Sequence, residues 1–346
     1  MQSHNDPDPR LELLTRWLAN ALGQVPEQVA PASADASFRR YFRAVSGDRS
    51  WVVMDAPPQH EDTGPYLRVA TLLATQGVHV PAVLAQDAAN GFLLLSDLGS
   101  VQMLDALRSG ADPARMYSDA IGMLVRLQRT PLAAAADLPR YDAAQLRREM
   151  ALLPEWFIAR HLGVTLGASE ERLVLEAFDF LEGAALAQPE VLVHRDYHSR
   201  NLMVVESDNP GVLDFQDATV GAVTYDLVSL LKDCYIRWPR ERVVAWVDEY
   251  RARAAEAGIA VSADRAAFLR DFDLMGLQRH LKVLGIFARL WYRDGKAGYL
   301  RDLPLVLDYT LEVTGAFEEL RGLDRLFRER LVPAFESAQA RALAAA

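Results

Sequence analysis

Residues 191–217 read VLVHRDYHSRNLMVVESDNPGVLDFQD. Residues 191–193 are a short apolar run, residues 194–201 a polar loop, and residues 202–205 are apolar again. Ser207-Asp208-Asn209-Pro210-Gly211 carries turn chemistry, and Val212-Leu213 resumes the apolar run before Asp214. The order is strand, loop, strand, turn, strand. If residues 202–205 pair with Val212-Leu213 around a turn at Asn209-Pro210-Gly211, Leu202 falls opposite Asp214, at the roughly 4.5–5.5 Å of opposed residues. Asn201 and Asp214 then flank one point with an amide oxygen and a carboxylate. Such hard ligands suit Mg2+, with phosphate or water in its other positions. Asp196, in the same loop, is left to serve a reacting hydroxyl.

That trio is what phosphoryl transfer requires: one carboxylate on the attacking hydroxyl and two oxygen ligands holding Mg2+ on nucleotide phosphates. His194-Arg195-Asp196-Tyr197-His198-Ser199-Arg200-Asn201 resembles the kinase catalytic loop H-R-D-x-x-x-x-N, with Asp196 as its base. Asp214-Phe215-Gln216 stands where D-F-G would be.

A chain of 346 residues has room for two lobes. Its 51% hydrophobic and 24% charged residues are those of a globular protein, and its net charge of −10 argues against nonspecific nucleic-acid binding. One cysteine, Cys234, excludes an intramolecular disulfide and fits a reducing compartment. The opening MQSHNDPDPR has no basic start and no apolar core, so it is not a signal peptide. No apolar run nears the ~20 residues of a membrane span. A cytoplasmic protein is expected, with a small-molecule substrate and no membrane, nucleic-acid or obligate protein partner.

Leu11, Leu14, Leu18 and Ala21, between Pro9 and Gly23, predict a helix over residues 9–22. Residues 38–45 and 51–54 predict two strands across a Ser46-Gly47-Asp48 turn. Residues 33–37, SADAS, sit where a kinase has its phosphate-covering loop; small side chains admit a phosphate, and Ser37 adds a hydroxyl. A helix over residues 66–76 and strands at 83–85 and 91–95 follow. Ser96-Asp97-Leu98-Gly99 breaks the pattern, which sets a lobe boundary after residue 98 and offers backbone groups at Leu95 and Asp97 to an adenine. Beyond residue 100, helices are predicted from Pro113 through Leu127 and over 142–152, 154–162, 170–186, 224–236, 239–257, 264–293, 302–314 and 316–340. The expected fold is α+β and bilobal, protein-kinase-like. A small β-rich nucleotide-binding lobe (residues 1–98) precedes a larger, mainly helical catalytic and substrate lobe (residues 99–346).

The only lysines are Lys232, Lys282 and Lys296, so the first lobe cannot supply the strand lysine that protein kinases set against the phosphates. An arginine must replace it, and Arg40 and Arg43 are the candidates. Strand alternation puts them on opposite faces and leaves open which turns inward.

Over nearly its whole length the chain resembles the aminoglycoside phosphotransferase-like family of small-molecule kinases. The resemblance lies in residues 35–41 (DASFRRY), residues 94–99 (LLSDLG), the 194–201 loop, Asp214-Phe215-Gln216-Asp217 and Tyr225-Asp226-Leu227. Within that family, residues 35–41, 53–58, 215–218 and 277–290 are similar to bacterial anomeric kinases of cell-wall amino sugars, in which a glycine-poor loop and a lysine-free strand look normal. The resemblance implies ATP and Mg2+, and phosphorylation of the C1 hydroxyl of N-acetylmuramate, N-acetylglucosamine or both. The sugar 1-phosphate would feed peptidoglycan recycling. A kinase of another small alcohol (an aminoglycoside, choline or homoserine) and a catalytically dead nucleotide-binding regulatory module are the alternatives. His198 beside the base, Gln216 and Asp217 beside the metal, and Arg279 and His280 on the 264–293 helix are the candidate substrate contacts. Arg279 is expected to point outward from the stripe of Leu277, Leu281, Leu284 and Ala288, and His280 to border it. Asp226 is expected to cap its helix or brace the catalytic loop.

Overall fold

The computed structural model describes residues 8–34 and 38–344; Ser37, at the expected phosphate loop, lies outside the described residues. The chain begins with α1 (Pro9–Leu22), β1 (Gln28–Ala34), β2 (Arg40–Ser46), β3 (Arg49–Asp55), α2 (Gly64–Thr75), β4 (Val83–Asp87) and β5 (Phe92–Ser96). Next come α3 (Met103–Arg108), α4 (Pro113–Gln128), α5 (Ala143–Met150), a π-helical stretch Leu153–His161 and α6 (Ala168–Leu186). Four short strands follow: β6 (Glu190–Val193), β7 (Leu202–Met203), β8 (Gly211–Val212) and β9 (Thr219–Ala222). The chain ends with α7 (Tyr225–Leu231), α8 (Arg240–Glu256), α9 (Arg265–Asp294), α10 (Leu303–Thr314), α11 (Arg321–Leu326) and α12 (Val332–Ala344). Contacts divide it into two compact units. The first runs to Gln102 and takes in Leu202–Asp217; the second holds Met103–Asn201 and the chain from Ala218 onward. Segment 202–217, which the sequence boundary at residue 98 leaves in the second lobe, thus clusters with the first unit.

In the first unit, β1 to β5 form one antiparallel sheet in the order β1-β2-β3-β5-β4. Helix α1 has the predicted bounds for local reasons. The Asp8 carboxylate accepts from the N–H groups of Arg10 and Leu11, Pro9 takes the first turn, and Gly23 ends the helix at φ 70°. Its Leu14 and Leu18 are fully buried against Phe42 and Ala44 of β2, Val53 of β3, and Phe92 and Leu94 of β5. Because side chains alternate along a strand, Arg40 shares this α1-facing side of β2, and Tyr41 and Arg43 lie on the other side. Strand β1 lies ahead of the first predicted strand, at 38–45. It contains Pro31, which weakens any strand reading, and the structure accommodates it on an edge strand with a register shift between Pro31 and Ser33.

In the second unit, β6 pairs antiparallel with β9. Helix α9 packs against α5, α6, α7, α8, α10 and the π-helical stretch, so every residue from Leu274 to Gly285 is buried. Gly285 permits the closest approach: a Cβ there would lie 2.4 Å from the Leu152 carbonyl carbon. The helix predicted over 316–340 is broken into a 3-10 turn, α11, a π turn Phe327–Leu331 and α12. The π turn precedes Pro333, as the Leu153–His161 stretch begins around Pro154. Proline lacks the N–H that the α ladder needs and crowds the carbonyl four residues back. Among the described residues, no helix is long and apolar enough to cross a membrane.

Leu18→Ala removes a fully buried side chain between α1 and the sheet and is expected to cost about 2–5 kcal/mol. The urea midpoint should fall at an unchanged m-value. A loss below about 0.5 kcal/mol would contradict the packing described.

Candidate active site

The loop after β6 is pinned at nearly every residue, all within the second unit. Asp226, fully buried at the start of α7, accepts from the backbone N–H of His194 (2.7 Å) and of Arg195 (3.0 Å). Burial pushes its carboxyl up to about 7, against the pull of those two donors. Of the two expected roles for Asp226, the geometry supports the brace. Arg195 takes a left-handed backbone, φ 79°, which an L side chain adopts only when its surroundings enforce it. Its guanidinium reaches Glu149 at 2.6 Å and lies 5.9 Å from the Tyr141 ring centre. The Tyr197 hydroxyl donates to the Ala120 carbonyl of α4 at 2.8 Å, and Ser199 donates through both N–H and hydroxyl to Asp233.

Asp196 sits half-buried in this frame. Its carbonyl accepts from the His198 N–H and from the Asn201 side-chain amide, both at 3.0 Å, so the NH2 end of Asn201 is directed at the loop backbone. Burial by itself would raise the Asp196 carboxyl, but positive charge around it, Lys282 foremost and Arg279 with it, holds it below the usual aspartate range. It is therefore ionised at neutral pH. Lys282 and Glu149 are site members that the sequence reading missed. The Lys282 ammonium lies 2.9 Å from Glu149 and 3.1 Å from the Tyr225 hydroxyl, and Glu149 also binds Arg195 and the Tyr141 hydroxyl. The available signal was a rare lysine set between Leu281 and Val283 of an apolar stripe.

Asp214 belongs to the first unit. The hairpin that carries it pairs Leu202 with Val212 and Met203 with Gly211. Leu202 is thus opposite Val212 and not opposite Asp214 as expected. The connection spans residues 204–210 in place of a turn centred on residues 209–211, with Val205 donating to the Asn209 side chain, and Asp214 lies two residues beyond the last pair. The separation of Asn201 and Asp214 derived from the expected register therefore lapses. Asp214 has a left-handed backbone, φ 64°, and Gln216 donates to its carboxylate at 2.7 Å. Phe215 is fully buried, its ring 4.8 Å from that of Tyr66 on α2. Gln216 thus braces Asp214, with no hydrogen-bond partner for its own carbonyl oxygen, and Asp217 is exposed. Among the described residues, no cluster of three or more His, Cys, Asp or Glu side chains could hold a metal. Asn201 and Asp214 are hard oxygen donors of the kind that hold Mg2+ only together with phosphate and water.

The remaining candidates fall in two groups. In the first unit, Arg40 is engaged by Asp55 (2.6 Å) and Asp8, and Asp55 is itself fully buried and also bound by Arg10. Arg43 donates to Asp97 at 2.7 Å and to the Gly99 carbonyl at 2.8 Å. Burial would raise Asp97, but Arg43, Ser50 and the Gly99 N–H outweigh it and hold the carboxyl low. Leu95 is buried in β5 between Val52 and Val83. In the second unit, His198 packs edge-on to Tyr235 at 5.5 Å, its Nδ1 buried without a partner, and burial lowers its pKa. Arg279 does not point outward: it is 5% exposed, because α9 is enclosed on all sides. His280 is a core residue, not a substrate contact. It is fully buried, stacked on Tyr309 at 4.9 Å, with Nε2 3.2 Å from the Lys232 carbonyl.

A pinned loop presenting an ionised aspartate, and an antiparallel sheet preceding a mainly helical unit, define a kinase-like phosphotransferase. The chain belongs to the APH phosphotransferase enzyme family, whose pattern matches residues 28–267. It is similar to the N-acetylmuramate/N-acetylglucosamine kinase of Pseudomonas putida, 49% identical over 333 residues, 93% of this chain and 97% of that protein. The protein of the same name from Neisseria meningitidis serogroup B is 44% identical over 320 residues, 91% of this chain and 94% of that one. Among solved structures, the GDP complex of aminoglycoside 2'-phosphotransferase-IIIa matches with a TM-score of 0.62 at 16% identity, over 88% of this chain and 99% of that one. Spectinomycin phosphotransferase with ADP and spectinomycin matches at 0.61 and 13% identity, over 89% and 98%. At these identities the likeness is one of fold.

Burial, then Lys232, pushes the His280 imidazole down to about 3, whereas it titrates near 6.5 when unfolded. Between those values the unfolded chain binds the extra proton, so stability is full above pH about 6.5 and falls as pH drops through the window. His280→Gln is expected to flatten the dependence of the urea midpoint on pH between about 5 and 7. An unaltered slope would speak against a buried neutral imidazole.

Proposed function

We propose that this chain transfers the γ-phosphoryl group of ATP to the C1 hydroxyl of a free cell-wall amino sugar, N-acetylmuramate, N-acetylglucosamine or both. The observation that carries the mechanism is Asp196, kept ionised by nearby cations in a loop pinned from several sides. The sugar is suggested by relatives named for it that match more than 90% of the chain. An anomeric hydroxyl is more acidic than an ordinary alcohol, so one carboxylate can serve as its base. The sugar oxygen forms a bond to the γ-phosphorus, the bond to the bridging oxygen breaks, its electron pair leaves on ADP, and the proton passes to Asp196.

Asn201 and Asp214 would hold Mg2+, which supplies positive charge to the phosphates. Backbone groups at Leu95 and Asp97 would take the adenine, and Ser37 the phosphates. Arg43 suits the missing lysine's role better than Arg40, because it lies on the sheet side away from the packed α1 helix. His198, Gln216 and Asp217 are assigned to hydroxyl or acetamido groups of the acceptor. ATP as donor suits the cytoplasm, and a sugar 1-phosphate suits nucleotide-sugar synthesis in peptidoglycan recycling.

Asp196→Asn is expected to lower kcat for ADP release with either sugar by about 10²–10⁴-fold while leaving ATP affinity unchanged by calorimetry. Near-normal turnover would refute Asp196 as base. A parallel screen with an aminoglycoside, choline and homoserine tests the acceptor, and turnover confined to one of these would refute the sugar assignment.

A further inference from the structure

Three cationic side chains of the second unit are buried: Lys232, Arg279 and Lys282. Lys232 has Asp273 at 3.2 Å and Glu312 at 3.4 Å, and Lys282 has Glu149 at 2.9 Å. Among the described residues, Arg279 alone of the three has no carboxylate within 4.0 Å. Its Nη1 meets only the Cys234 sulfur, at 3.9 Å, its Nε is buried without a partner, and its guanidinium carbon lies 5.9 Å from the centre of the Tyr225 ring. Of the acids whose charge reaches it, Asp226 is engaged on the loop N–H groups and Asp233 on Ser199 and the Tyr235 N–H, while Asp196, the base of the proposed function, lies beyond ion-pairing distance. A guanidinium cannot shed its proton, so burying one without an anion leaves its lost hydration uncompensated. A ligand anion would supply that compensation, and the planar fork of Arg279 matches a carboxylate with two parallel hydrogen bonds.

The surroundings suit a sugar. Phe287, eight residues after Arg279 on α9, lies 6.3 Å from the Tyr235 ring and 5.0 Å from the Tyr299 ring. Tyr235 in turn packs on His198, two residues from Asp196, whose buried Nδ1 lacks a partner. Half-buried tyrosines give a sugar ring apolar surface with a polar edge. The two sugars of the proposed function differ by one group, the lactyl ether of N-acetylmuramate, which ends in a carboxylate.

We propose that Arg279 binds that lactyl carboxylate and thereby sets the preference between the two amino sugars. This rests on the proposed function and names its specificity-determining residue. Steady-state ADP release is measured for wild type, Arg279→Met and Arg279→Lys on both sugars. Arg279→Met is expected to lower the ratio of kcat/KM for N-acetylmuramate over N-acetylglucosamine on the order of 10²-fold, and Arg279→Lys, which keeps charge without the fork, by less. Wild type is also compared on N-acetylmuramate and on its carboxamide, which needs no variant to fold; a similar loss on the carboxamide is expected. Equal losses on both sugars in Arg279→Met, or equal turnover of acid and carboxamide by wild type, overturns this inference alone. Wild type that phosphorylates neither sugar overturns the proposed function and this inference with it.

Discussion

Two backbone N–H groups directed at one buried carboxylate hold the loop after β6 in this phosphotransferase. Asp226 takes the N–H of His194 and of Arg195 and so enforces the left-handed turn at Arg195. From that turn the chain places Asp196, and Tyr197, Ser199 and Asn201 fasten the rest of the loop to α4, to Asp233 and to the loop's own backbone. A loop fixed this way needs little reorganisation when a reaction develops charge beside it, which is the physical content of a preorganised site. Of the three described non-glycine residues with a left-handed backbone, Asp208 lies in the hairpin connection, Arg195 stands just before Asp196, and the third is Asp214 itself.

Charge is distributed unevenly between the units. In the first, Asp55 gathers Arg10 and Arg40, and Asp97 holds Arg43 against Gly99, so the arginines of β2 stand in ion pairs. In the second, a single buried glutamate, Glu149, serves Lys282, Arg195 and Tyr141. Two of the chain's three lysines are buried in such networks, a placement that suits them to tuning neighbours such as Asp196 more than to solubility. Arg279 stands apart because its compensating charge is not supplied by any acid of its own unit within ion-pairing distance.

Helix α1, the β2–β3 hairpin, α2 and most of the second unit's helices were legible because caps, turns and periodicity act within a few residues. Asp8, Pro9 and Gly23 delimit α1 without reference to anything distant. The same local logic missed β1, where Pro31 hid an edge strand, the π-helical winding of Leu153–His161 and the breaks inside residues 316–340, where a π turn precedes Pro333. The motif residues Asp196, Asn201 and Asp214 were also legible, since their order and spacing lie along one short stretch.

What the sequence by itself determined, then, was most of the helices and strands and the identity of the loop acids, because those depend on neighbours in the chain. Tertiary structure alone decided that Leu202 pairs with Val212, that His280 is sealed against Tyr309, that Arg279 lies inside the helical unit, and that Glu149 meets Lys282. These outcomes turn on which remote segments arrive at a given side chain. Residues 149 and 282, or 194 and 226, become partners only when α9 is enclosed by other helices and α7 reaches the loop after β6. No periodicity along the chain encodes such meetings.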